Sequence, residues 1–182
     1  MLKVFAKRAI KAFGRRWNYD SSYLTEILDE TGIDAILPLN ALGKVSAYQR
    51  SLPASVYHAS KIAASIAADC GPCAQLCISM AQAAGVDERT LRALAAGDAD
   101  ELGVDERMAY DFTRGILARD DVSELRAAIA KRWGTRALVS LAYGIISAQA
   151  YPTFKYVTGY AHACTRLHVA GVDIGMREQA FV

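Results

Sequence analysis

The stretch Asp69-Cys70-Gly71-Pro72-Cys73-Ala74-Gln75-Leu76-Cys77-Ile78-Ser79-Met80-Ala81-Gln82-Ala83-Ala84-Gly85-Val86 holds three of the chain's four cysteines. Gly71 and Pro72 suit the first turn of a helix, where amides have no intrahelical acceptor and a missing N–H costs nothing. Apolar residues then recur at helical spacing until Gly85 stops the run. The Cys70-x-x-Cys73 pair is therefore expected at the positive end of a helix dipole, which favours thiolate over thiol. Two thiols at this spacing can open and close one small disulfide ring. Three chemistries fit them at this point: thiol–disulfide exchange, metal ligation and plain core packing.

Outward from this stretch the pattern is helical nearly throughout, with no sustained alternating strand and no internal repeat. Helices are expected over 2–17, 20–29, 53–69, 71–84, 87–96, 105–119, 122–133 and 135–163. Pro53 sits in a first turn, and Gly32, Gly85, Gly97 and Gly134 act as stops. Residues 33–50 read as short turns and loop, because Pro38 and Gly43 interrupt them. The segment 166–182 reads as a mixed, irregular tail. The expected architecture is an all-α single domain over 20–165, preceded by an amphipathic arm over 1–19.

With 53% apolar and 22% charged residues, the 182-residue chain can bury a substantial core. Six of its 21 basic residues (Lys3, Lys7, Arg8, Lys11, Arg15, Arg16) precede Asp20 with no acidic residue among them, leaving 15 basic against 19 acidic. That balance gives no reason to expect nucleic-acid binding. The basic arm carries Leu2, Phe5, Ile10, Phe13 and Trp17 on one face, so it suits either an anionic lipid surface or packing against protein. Packing is the expectation. Residues 137–154 are uncharged but contain Ser140, Ser147, Gln149 and Pro152, which favours a buried helix over a membrane span. Clustered cysteines and charges interrupting every early apolar run point to a reducing, cytoplasmic setting.

The Asp69–Val86 stretch, together with Tyr151-Pro-Thr-Phe-Lys-Tyr-Val-Thr-Gly-Tyr-Ala-His-Ala-Cys164, resembles the alkylhydroperoxidase D-like and carboxymuconolactone decarboxylase superfamily. The resemblance covers about residues 50–164. It implies an alkylhydroperoxidase D-like helical bundle that assembles as a homo-oligomer, a trimer or hexamer. In redox-active members a Glu precedes the first Cys and a His follows the second, relaying a proton from the attacking thiol. The second Cys attacks a peroxide, and the first closes the disulfide. On this chain the cysteines are Cys70 and Cys73, while His58 stands at the Glu position and Cys77 at the His position. Both thiols match and both relay residues depart.

What the resemblance implies is a thiol–disulfide redox enzyme, a peroxidase of peroxiredoxin-like chemistry. It reduces a hydroperoxide or disulfide at Cys73 and Cys70, with His58 and Cys77 assisting. No nucleotide or flavin fingerprint is present, so no cofactor is expected and electrons must come from an external dithiol protein, lipoyl-bearing or thioredoxin-like. Three alternatives stay open. One is a decarboxylase- or isomerase-like enzyme on the same fold, and another a non-catalytic oligomeric binding module. The third is a zinc site of His58, Cys70, Cys73 and Cys77, disfavoured because three ligands crowd one stretch of helix. Tyr57, Tyr143, Tyr151 and Phe154 are candidates for an apolar pocket, although aromatics at helical spacing more often form core.

Overall fold

The computed structural model describes residues 2–161 and 166–175, with the side chain of Arg166 left out. Among them nine α-helices run α1 (Leu2–Trp17), α2 (Ser22–Thr31), α3 (Ile33–Ser46), α4 (Ala54–Ala67), α5 (Gly71–Ala83), α6 (Glu88–Ala96), α7 (Val104–Ala118), α8 (Ser123–Trp133) and α9 (Thr135–Val157). A hairpin, β1 (Arg166–Val169) and β2 (Val172–Gly175), follows. The fold is all-α, as the periodicity requires. The chain separates into two compact units, Met1–Ala47 and Tyr48–Val182.

In the first unit the basic helix is not an isolated arm, because α2 and α3 pack on it. Lys7 Nζ pairs with Asp29 at 2.6 Å, and Ser21 Oγ donates to the Ile10 carbonyl at 3.1 Å. Gly14 allows this approach: a Cβ there would lie 2.9 Å from the Tyr19 carbonyl oxygen. Ile10 is buried and Phe13 and Trp17 half-buried, whereas Leu2 and Phe5 stay exposed. Contacts within the chain divide it at 47/48. Helix α3 also departs from expectation, since it continues through Pro38 and Gly43. Proline removes one backbone bond, and burial of Ile36 and Leu39 offsets that loss.

The second unit is built around α4. Every residue from Val56 to Ile66 is buried, the signature of a helix enclosed on all sides. Its small residues admit neighbours closely: α7, α9 and α5 all pack on it. Thr113 Oγ1 donates to Ser60 Oγ at 2.8 Å, and Gln149 Nε2 to the Ala64 carbonyl at 2.6 Å. Gly144 of α9 leaves room for α4 side chains, since a Cβ there would meet Tyr57 Cε2 at 3.1 Å and Lys61 Cγ at 3.3 Å. Helix α6 is capped as the sequence predicts. Asp87 accepts from the Thr90 amide at 2.9 Å, and Gly97 closes the other end in the left-handed region.

Within the stretch expected to be an irregular tail, residues 166–175 instead form the hairpin and join the core, while 176–182 lie outside the described residues. Ala170 and Gly171 turn it, with φ of 47° and 82°, the twist a two-residue hairpin favours. Leu167 and Val169 face inward and are buried, while His168 faces out. Gln75 of α5 holds β1 in place by a reciprocal pair: its Nε2 donates to the His168 carbonyl at 2.9 Å and its Oε1 accepts from the His168 amide at 2.7 Å. Helix α9 ends at Val157, short of the expected residue 163; His162 and Cys164 lie outside the described residues. No helix among the described residues is long and apolar enough to cross a membrane.

Candidate active site

The reversal between α4 and α5 fixes where the thiols stand. Ala68 and Asp69 make the turn, and Asp69 adopts φ +48°, a left-handed conformation that Asp and Asn tolerate better than other non-glycine residues. Cys70 follows in an extended conformation as the N-cap residue, and the amide of Ala74 donates to its carbonyl at 2.9 Å. One turn of helix then places Cys73 beside Cys70 and Cys77 beyond it. Tyr156 of α9 fastens this corner from outside, its hydroxyl donating to the Asp69 carbonyl at 2.9 Å.

Cys70, Cys73 and Cys77 are free thiols, 1%, 6% and 8% exposed. The first two form one electrostatic unit. The Cys70 thiol is pulled down from an ordinary 9.0 to about 7, chiefly because the Cys73 thiol donates a hydrogen bond to it. Burial opposes this; the Cys73 amide and the Lys155 cation support it, and the Asp69 carboxylate works against it. Cys73 is pushed strongly upward by the same bond and by burial. Cys70 is therefore the thiol of the pair that ionises first, and Cys73 the one that keeps its proton. Cys77 belongs to a neighbouring group: its Sγ lies 3.1 Å from Ser65 Oγ in a hydrogen bond, and burial followed by Cys77 raises the Tyr57 phenol to about 12.

His58 is not hydrogen-bonded to any thiol among the described residues. It is buried, its ring stands edge-on to Tyr57 at 5.6 Å, and its Nδ1 has no hydrogen-bond partner among the described residues. Burial first, and the Lys61 cation second, lower it to about 4, so the imidazole is neutral and weakly basic at pH 7. Among the described residues no three His, Cys, Asp or Glu side chains come together as metal ligands, so the zinc arrangement has no ligand set there. Of the aromatic candidates, Tyr57 is buried and Tyr151 half-buried, whereas Tyr143 faces outward against Tyr48 with ring centroids 5.3 Å apart.

Residues 38–110 match the model of the carboxymuconolactone decarboxylase family. That match agrees with the superfamily that the Asp69–Val86 stretch resembles. No curated protein and no solved structure matches the chain. The family region includes α4, α5 and α6, and so carries His58 and the three thiols. It stops at Tyr110, before α9.

Two residues near the site were missed by sequence reasoning. Lys61 and Lys155 are lysines buried in the second unit, one on α4 beside His58 and one on α9 beside the thiol pair. A signal for each existed. Lys61 is the lone charge of α4, and Lys155 is the first charge after the uncharged run 137–154. Such a placement marks a cation that the fold has to accommodate, but not what it faces.

Proposed function

We propose that the chain is a thiol–disulfide redox enzyme that reduces hydroperoxides through Cys70 and Cys73. The observation that carries this reading is the placement of two free thiols at the start of α5, Cys70 as its N-cap residue and Cys73 in its first turn, with the Cys70 thiol drawn down and the Cys73 thiol pushed up. A thiolate of high basicity is the stronger nucleophile, and it forms when the Cys73 proton crosses to Cys70. Cys73 then attacks a peroxide oxygen. An S–O bond forms as the O–O bond breaks, the sulfur is oxidised to a sulfenic acid, and the departing alkoxide takes the proton from Cys70. The restored Cys70 thiolate attacks the sulfenic sulfur, closing the disulfide, and hydroxide leaves as water with a proton from solvent. An external dithiol, lipoyl-bearing or thioredoxin-like, returns both thiols by exchange and leaves as a disulfide. Cys70 in this scheme does the proton work of the family's Glu and His, which suits a site whose histidine is neutral and unconnected to sulfur. The same reading includes a cytoplasmic homo-oligomer.

The test uses an alkyl hydroperoxide with a small dithiol as reductant. C70S is expected to lose steady-state turnover and to accumulate, slowly, a dimedone-trapped sulfenic acid on Cys73. C73S is expected to lose turnover altogether; retained turnover there overturns the scheme. A second reading, a non-catalytic binding module, draws on the near-complete burial of all three sulfurs. It requires alkylation midpoints near that of free cysteine at every thiol.

A further inference from the structure

Helix α9 runs from outside the matched family region to the thiol corner, and its last turns are anchored there. Tyr156 bonds to the carbonyl of Asp69, the residue immediately before Cys70. The amide of Tyr160 donates to the Lys155 carbonyl at 2.8 Å, closing the helix end behind it. Pro152, one turn earlier, is buried, and so is Lys155, at 3% exposure. A lysine normally keeps its ammonium in water, so burying one beside two thiols calls for a reason.

We propose that Lys155 is a positioning residue for the thiol pair, its ammonium holding negative charge on the two sulfurs. This rests on the redox reading above. The groups around the pair set the balance. On α5 itself lie the three thiols. Asp69 precedes them and disfavours a thiolate. From α9 come Lys155 and the Tyr156 hydroxyl, and from α4 comes Tyr57 beside Cys77, with His58 and Lys61 on the same helix. From β1, His168 reaches α5 only through its backbone, its ring being engaged with Asp173 at 2.9 Å. Lys155 is the cation acting on both Cys70 and Cys73, favouring the thiolate of each.

The experiment follows the alkylation rate of Cys70 in the full-length chain against pH, resolved by mass spectrometry, with fold checked by circular dichroism. K155M is expected to raise the midpoint by about one unit. Below the midpoint the thiolate fraction then falls about tenfold, and higher intrinsic nucleophilicity returns part of it, leaving a net loss of about threefold to fivefold at pH 6. K155R is expected to keep the native profile. A folded K155M with an unchanged profile overturns the proposal. Should K155M fail to fold, the native chain decides the matter by NMR of ¹³C-labelled lysine. The Lys155 side-chain resonance is expected to show an inflection at the Cys70 midpoint, and its absence overturns the proposal equally. Neither readout uses a peroxide, so loss of turnover with a normal Lys155 effect would sink the enzyme reading alone.

Discussion

Asp69 is where backbone and charge can be separated by single substitutions. Its left-handed φ is open to Asn, so D69N keeps the turn and removes only the carboxylate that disfavours the Cys70 thiolate. The expected result is a Cys70 alkylation midpoint below the native value of about 7, with faster alkylation at pH 6. D69A removes the same charge but adds backbone strain, lowering thermal stability by about 1 kcal/mol relative to D69N. Calorimetry of the two variants separates the effects. The thiol pair itself was legible in the sequence, because a Cys-x-x-Cys after a turn and before an amphipathic run has a local meaning. Which thiol holds the charge was not. That depends on a hydrogen bond between the sulfurs and on a lysine from a distant helix.

Among the elements, the hairpin shows how a side chain of α5 can secure a piece of chain far along the sequence. Q75A removes both bonds to the His168 backbone and is expected to cost about 1–2 kcal/mol. The sharper readout is hydrogen exchange at the His168 amide, expected to accelerate while amides in the interior of α4 stay protected. Helix ends with a chemical signature, such as Asp87 and Gly97 on α6, were readable because the cap is satisfied within a few residues. Helix α3 and the hairpin were not. Pro38 and Gly43 argue locally for a break, whereas α3 continues through both with Ile36 and Leu39 buried. Strands of four residues are too short to show alternation, and Leu167 and Val169 acquire their inward direction from the core they meet.

At the scale of the whole molecule, His58 links the core to acid stability. Its folded pKa of about 4 lies below the ordinary 6.5, so between these values the unfolded chain binds more protons than the native one. Stability is therefore expected to fall as pH drops from 6.5 towards 4, by up to about 3 kcal/mol from this residue. H58Q carries no titrating ring, so its loss over the same range is expected to be smaller by that amount in denaturant titrations. The outer edge of the thiol corner has a different consequence. Tyr156 stands with its ring half in solvent, and its phenol is raised by partial desolvation, by Asp69 and by negative charge on the Cys70–Cys73 pair. Oxidising the two sulfurs to a disulfide abolishes their share of that upward push. The ring becomes an optical indicator of the oxidation state, its ultraviolet phenolate band emerging at lower pH in oxidised protein than in reduced.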